Sequence, residues 1–133
     1  MSKDISLLIG RILLALLYVP SGFGKISNFP GTLAYITSKS VPLPPLAAII
    51  AIVVELGGGL LLLVGWKTRW VALVLAIFTI AAGILFHNFW ALPADPASLV
   101  MFNRVNFFKN LAIAGGLLFI YVFGPGRLSV DRA

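Results

Sequence analysis

At 133 residues the chain has room for one domain, and 60% of it is hydrophobic against 11% charged, far below the roughly 25% charge of soluble proteins. A globule this small has too much surface per unit volume to hide that apolar area, so lipid must solvate the excess. The net charge of +6 comes from lysines and arginines set singly between apolar runs, which excludes a nucleic-acid partner and fits anionic lipid at the ends of spans.

A helix needs about 20 residues to cross a hydrocarbon core of about 30 Å, and four runs have that length. The first covers residues 5–24. It is too long for the apolar region of a signal peptide, contains Arg11 and lacks a small-residue cleavage site, so a retained helix is expected. Asn28-Phe29-Pro30-Gly31 then leads into Thr32–Lys39, where Leu33 and Ile36 share a face, before Val41-Pro42-Leu43-Pro44-Pro45 stops any helix. This predicts a short helix lying on the membrane. The second span covers residues 46–64 and turns tightly through Gly65-Trp66-Lys67-Thr68-Arg69 into the third, residues 70–90, with Trp66 and Trp70 at the interface. Asp95-Pro96 reads as the N-cap and first residue of a second short helix. The fourth span covers residues 106–123, ended by Gly124-Pro125-Gly126 and followed by a polar tail.

Backbone polar groups find no water in lipid, and the runs do not alternate as barrel strands would, so each span is helical. The expected fold is all-α: a single-domain (residues 1–133) integral membrane four-helix bundle, antiparallel and up-down, with short interfacial helices in the two outer loops. Lys3, Lys67, Arg69, Arg127 and Arg132 lie on the side of the termini, against Lys25, Lys39, Arg104 and Lys109 opposite. The positive-inside rule therefore places the termini in the cytoplasm of a bacterial cell, with the bundle in its inner membrane.

An ionisable residue within a span costs about 2.5–3.5 kcal/mol on insertion scales, which makes each a candidate for function. Glu55 sits near mid-span with small neighbours Ala47, Ala51 and Gly59 on its face, so it turns into the bundle. By depth its expected partner is Arg11, which shares a stripe with Ala15, Tyr18, Gly22 and Lys25. Ala72, Ala76, Thr79, Gly83 and His87 form a similar face on the third span, followed by Asn88. Asn103, Asn106, Lys109 and Asn110 start the fourth. The expectation is a polar cavity closed at mid-depth by an Arg11–Glu55 ion pair and lined further out by Lys25, His87, Asn88, Asn106, Lys109 and Asn110.

Each has a structural reading beside the functional one. An Arg11–Glu55 pair could only fix helix register, Lys25 and Lys109 could snorkel to the interface, and a lone His87 could be a hydrogen-bonded interfacial residue. Gly57-Gly58-Gly59 reads as close helix contact, lacking the strand-to-helix context of a phosphate loop. One histidine and no cysteine leave no set of ligands for a metal centre or a bis-His haem, and no disulfide or thiolate chemistry.

The arrangement resembles the DoxX family of small four-helix bacterial membrane proteins. The resemblance covers nearly the whole chain and rests on six stretches in order: Gly10-Arg11; Ser21-Gly22-Phe23-Gly24-Lys25-Ile26; Pro42-Leu43-Pro44; Glu55-Leu56-Gly57-Gly58-Gly59; Gly65-Trp66-Lys67-Thr68-Arg69; and Gly124-Pro125-Gly126-Arg127-Leu128-Ser129-Val130-Asp131. It implies a redox association, since relatives include a subunit of a thiosulfate:quinone oxidoreductase. It puts Arg11, Glu55, His87 and Lys109 at the polar positions of the pattern but carries over no catalytic set.

Three functions are weighed. The first is a site for a quinone-like or other small redox ligand, with His87 and Lys109 bonding a carbonyl oxygen, Asn106 or Asn110 orienting it, and Phe86, Phe107 and Phe108 holding the ring. Without a cofactor motif the chain would bind the ligand or assist a membrane or soluble redox partner, acting as a subunit and not as an enzyme on its own. The second is an exporter that uses Glu55 as a proton-coupled carboxylate. The third is a structural scaffold subunit, alone or as a homo-oligomer.

Overall fold

The Ser2 hydroxyl accepts the Ile5 N–H and so caps the first of six helices. The computed structural model describes residues 2–133. Helix α1 runs Lys3–Ser27, a rod of about 37 Å that reaches across a bilayer. Asn28 caps the short α2, Phe29–Ser38, through a side-chain bond to the Gly31 N–H. The second span has three parts: α3, Pro44–Ile52; a π turn, Val53–Gly57; and α4, Gly58–Val64. After the hairpin comes α5, Thr68–Phe86, then a 3₁₀ turn at Phe89–Ala91 and α6, Ala97–Phe123.

The four spans and the first surface helix agree with the sequence reading, and the bundle is all-helical. The second outer loop does not. The third span stops at Phe86 with His87 as its C-cap, and only a 3₁₀ turn follows. The short helix expected at Asp95-Pro96 is the first part of α6 itself, with Pro96 as the N-cap. No proline or glycine interrupts residues 97–114, so nothing separates the polar first turns from the span.

Helices α5 and α6 form the most extensive pair, α1 lies along α4 and the π turn, and the lower part of the second span joins the two halves. Tyr18, Leu62, Ala72, Leu75, Ala76, Ala114, Leu117 and Ile120 make the buried core. Small residues decide how close the helices come. A Cβ on Gly22 would sit 2.7 Å from the Leu56 nitrogen, and one on Gly59 2.9 Å from Val19 Cγ2, so α1 and the second span touch almost backbone to backbone.

Both termini lie at one end, where the tail folds back. Val130 N–H donates to Val64 O at 3.0 Å and Asp131 N–H to Gly65 O at 2.8 Å. The Asp131 carboxylate accepts from the Lys67 N–H, the Thr68 N–H and the Thr68 hydroxyl. It caps α5 from 63 residues away in sequence. Asp4 accepts the Arg127 N–H and ties the start of α1 to the same tail.

Candidate functional site

The expected Arg11–Glu55 pair does not form. Helical side chains tilt toward the N-terminus of their own helix. Arg11, on α1, therefore leans toward the terminal end, while Glu55, on the antiparallel second span, leans toward the loop end. Similar depth along antiparallel helices does not bring them together. Arg11 is fully buried and donates to Leu62 O and Leu63 O, both at 3.0 Å, and to Leu128 O. These are orphan carbonyls at the end of α4 and in the tail, so Arg11 is a helix C-cap.

Glu55 meets Lys25 instead, which leans inward from the end of α1. Lys25 Nζ lies 2.8 Å from Glu55 Oε2 and 3.1 Å from Oε1. Ser21, one turn before Lys25, donates to Glu55 Oε2 at 2.9 Å and accepts from Lys25 Nζ at 3.0 Å. This is the one ion pair among the described residues. Glu55 is 8% exposed, and the π turn carries it; such turns interrupt helices frequently at functional sites.

Above the pair opens a cavity of about 450 Å³. Its floor is Tyr18, Ser21, Lys25 and Glu55; Leu17, Ile50, Ala51, Phe78 and Ile113 wall it; Tyr35, Phe86 and His87 stand at the loop end. Tyr18 and Thr79 share a hydroxyl–hydroxyl bond, and Asn110 Nδ2 donates to Thr79 O at 3.1 Å.

Asn103 Nδ2 donates to Leu99 O at 3.0 Å, which leaves its Oδ1 facing His87 Nδ1 at 3.1 Å. Nδ1 therefore donates to Asn103, which leaves Nε2 without a partner inside the bundle.

Of the positions singled out in the sequence, Lys25, Glu55, His87, Lys109 and Asn110 line the cavity. Asn106 and Asn88 do not. Asn106 bonds Phe102 O and accepts the Lys109 amine at 2.8 Å, and Asn88 caps the 3₁₀ turn. The aromatic walls divide as well. Phe86 lines the space, while Phe107 and Phe108 join Phe89 and Trp90 in a separate cluster. Ser21, Thr79, Tyr18 and Tyr35 complete the site. Tyr18 and Thr79 already lay on the small-residue stripes, and Ser21 is one helical turn before Lys25, the spacing at which side chains meet.

A family model described as DoxX matches residues 6–88. The chain is 37% identical to the inner membrane protein YphA of Escherichia coli, over 98% of this chain and 91% of that protein. It is 38% identical to the inner membrane protein YqjF of the same organism, over 98% and 92%. A Schizosaccharomyces pombe protein named Surfeit locus protein 4 homolog is 35% identical over 54% of this chain and 24% of its own length. No solved structure matches significantly. With residues 6–88 matched by that model and two relatives aligned almost end to end, the chain is a multi-pass membrane protein and belongs to the DoxX family.

Proposed function

We propose that the cavity binds a small lipid-soluble ring compound of the quinone and quinol class and presents it to a redox partner in the bacterial inner membrane. The observation that carries this reading is a charged, hydrogen-bonded Lys25–Glu55–Ser21 cluster at the floor of an otherwise apolar-walled cavity inside a membrane bundle. Its volume of about 450 Å³ falls in the range of about 300–1,000 Å³ usual for ligand sites. The Lys25 amine is a donor for a ring carbonyl oxygen. His87, with Nδ1 committed to Asn103, keeps Nε2 for a hydrogen bond with a ring oxygen. Lys109 is a weaker candidate, because its amine is engaged by Asn106. The chain acts as a binding subunit, leaving electron transfer to the partner.

The test is titration of purified protein with ubiquinone and ubiquinol. Lys25→Met and His87→Ala should each weaken binding about tenfold, corresponding to about 1.4 kcal/mol, and Lys109→Met should change it little. Absence of binding, or binding by the first two variants as tight as by the unmodified protein, ends this reading. One observation favours a proton-coupled exporter instead: Glu55 is a buried carboxylate within a span. Proton-driven flux in proteoliposomes that is lost in Glu55→Gln would support that alternative.

A further inference from the structure

Between α3 and α5, as between α1 and α6, no close backbone pairing bounds the cavity. The second span meets α5 through its π turn and α4, where the Leu75 side chain lies against Gly58. Nearer the loop end, α3 turns to α1 and α2 and makes no comparable contact with α5. At the top, the Tyr35 ring of α2 stacks on Phe86 of α5 with centroids 5.5 Å apart and roofs the gap. The opening is thus bounded below at Leu75 and above at Phe86. They are eleven positions apart on the helix, about 16 Å at 1.5 Å per residue. Within that stretch Phe78, Ala81 and Leu85 edge the cavity, opposite Ile50 of α3. Ile50 is 49% exposed and Leu85 48%, on a bundle whose outer surface faces acyl chains.

A second mouth differs in character. It is a shallower hollow between the end of α1 and α2, where Ser21, Lys25, Asn28 and Thr32 contribute polar side chains. The Lys25 cluster therefore communicates with the interface on one side and with the hydrocarbon on the other.

We propose that the gap between α3 and α5 is a lateral portal. The ligand reaches the cavity through it from the bilayer, and its isoprenoid tail remains in it while the ring sits at Lys25–Glu55. The portal rests on the reading of the cavity as a ring-binding site. A ring occupies much of the roughly 450 Å³, so a long tail cannot be enclosed and must leave by a mouth. Ile50, Phe78 and Leu85 give the portal apolar walls, whereas beside Lys25, Asn28 and Thr32 the tail would meet polar side chains.

Two measurements test this. The first compares a benzoquinone carrying a long isoprenoid tail with the same ring lacking a tail, on the unmodified protein and on Ala81→Trp, which fills the rim of the portal. Affinity for the tailed compound should fall about tenfold or more, and affinity for the tail-free ring should stay within about threefold. If the variant binds both as well as the unmodified protein, or loses both equally, the portal is wrong and the ring site stands. If the unmodified protein binds neither, the ring site fails and the portal with it. The second measurement needs no bulky substitution. A spin label on Ala81→Cys, in a chain with no other cysteine, should in nanodiscs be relaxed more by oxygen than by a water-soluble nickel chelate. A label on Thr32→Cys, at the polar mouth, should show the reverse. Greater nickel accessibility at position 81 would overturn the portal.

Discussion

Lys25, Glu55 and Ser21 form a small closed network in which every charged donor has an acceptor, and such networks lose most when only one member is removed. Lys25→Met leaves a carboxylate at the cavity floor with Ser21 as its remaining partner, an expected cost of about 2 kcal/mol. Removing both charges in Lys25→Met/Glu55→Gln should cost less than the lysine substitution alone, which thermal unfolding in nanodiscs would show. Strictly additive costs would mean that the two groups do not interact. Arg11 is the other buried charged group and plays a different part. It stands among carbonyls, so Arg11→Met should destabilise the fold by about 3 kcal/mol through unsatisfied acceptors. The same substitution should leave ligand affinity of the folded fraction unchanged. A binding defect in folded Arg11→Met protein would contradict its assignment to the terminal end.

Among the elements, the second span and α5 are both finished by groups distant in sequence. Lys67 begins α5 with a left-handed φ of 53° and offers no side-chain cap; Asp131 supplies the missing acceptor from the tail. Slight burial pushes the Asp131 carboxyl up, but bonds from the Thr68 N–H and hydroxyl and the Lys67 N–H, with the Lys67 charge, hold it below the usual carboxylate value. A carboxyl lowered in the folded state adds stability above its unfolded value, and the gain disappears as pH falls through the folded one. The latch should therefore hold at neutral pH and release in acid below about pH 4. Hydrogen exchange at the Thr68 amide would report the loss. Asp131→Asn should weaken the latch at neutral pH and abolish its acid dependence. Persistence of the full acid response in that variant would assign it to another group.

For the whole molecule the two ends are unlike. The terminal end is closed by the tail, Arg11 and the Asp131 latch, while the loop end holds the cavity and the hollow beside it. A cavity at one depth and a sealed terminal end at the other suit the proposed binding from one leaflet better than passage through the protein. The bias of lysine and arginine toward the terminal end predicts that end in the cytoplasm. A tag at the C-terminus should then resist protease added outside spheroplasts, and a cysteine at Ser38 should react with an impermeant maleimide. The opposite pattern would invert the membrane orientation and place the cavity in the inner leaflet.

Legibility varied with the range of the interaction concerned. Composition and run length determined the membrane bundle, because solvation by lipid depends on total apolar surface, which needs no contact map. The α2 helix, the tight hairpin and the inward face of Glu55 were equally local, readable from Pro30, Gly65 and the small residues around position 55. The partner of Glu55 was not read correctly, although the tilt of side chains toward a helix N-terminus would have turned Arg11 away from it and Lys25 toward it. Three features belonged to the tertiary structure alone: the capping of α5 by Asp131, the assignment of Arg11 to the Leu62 and Leu63 carbonyls, and the gap between α3 and α5. Each depends on where distant segments meet, and a stripe of residues on one helix fixes its own direction without naming what stands opposite.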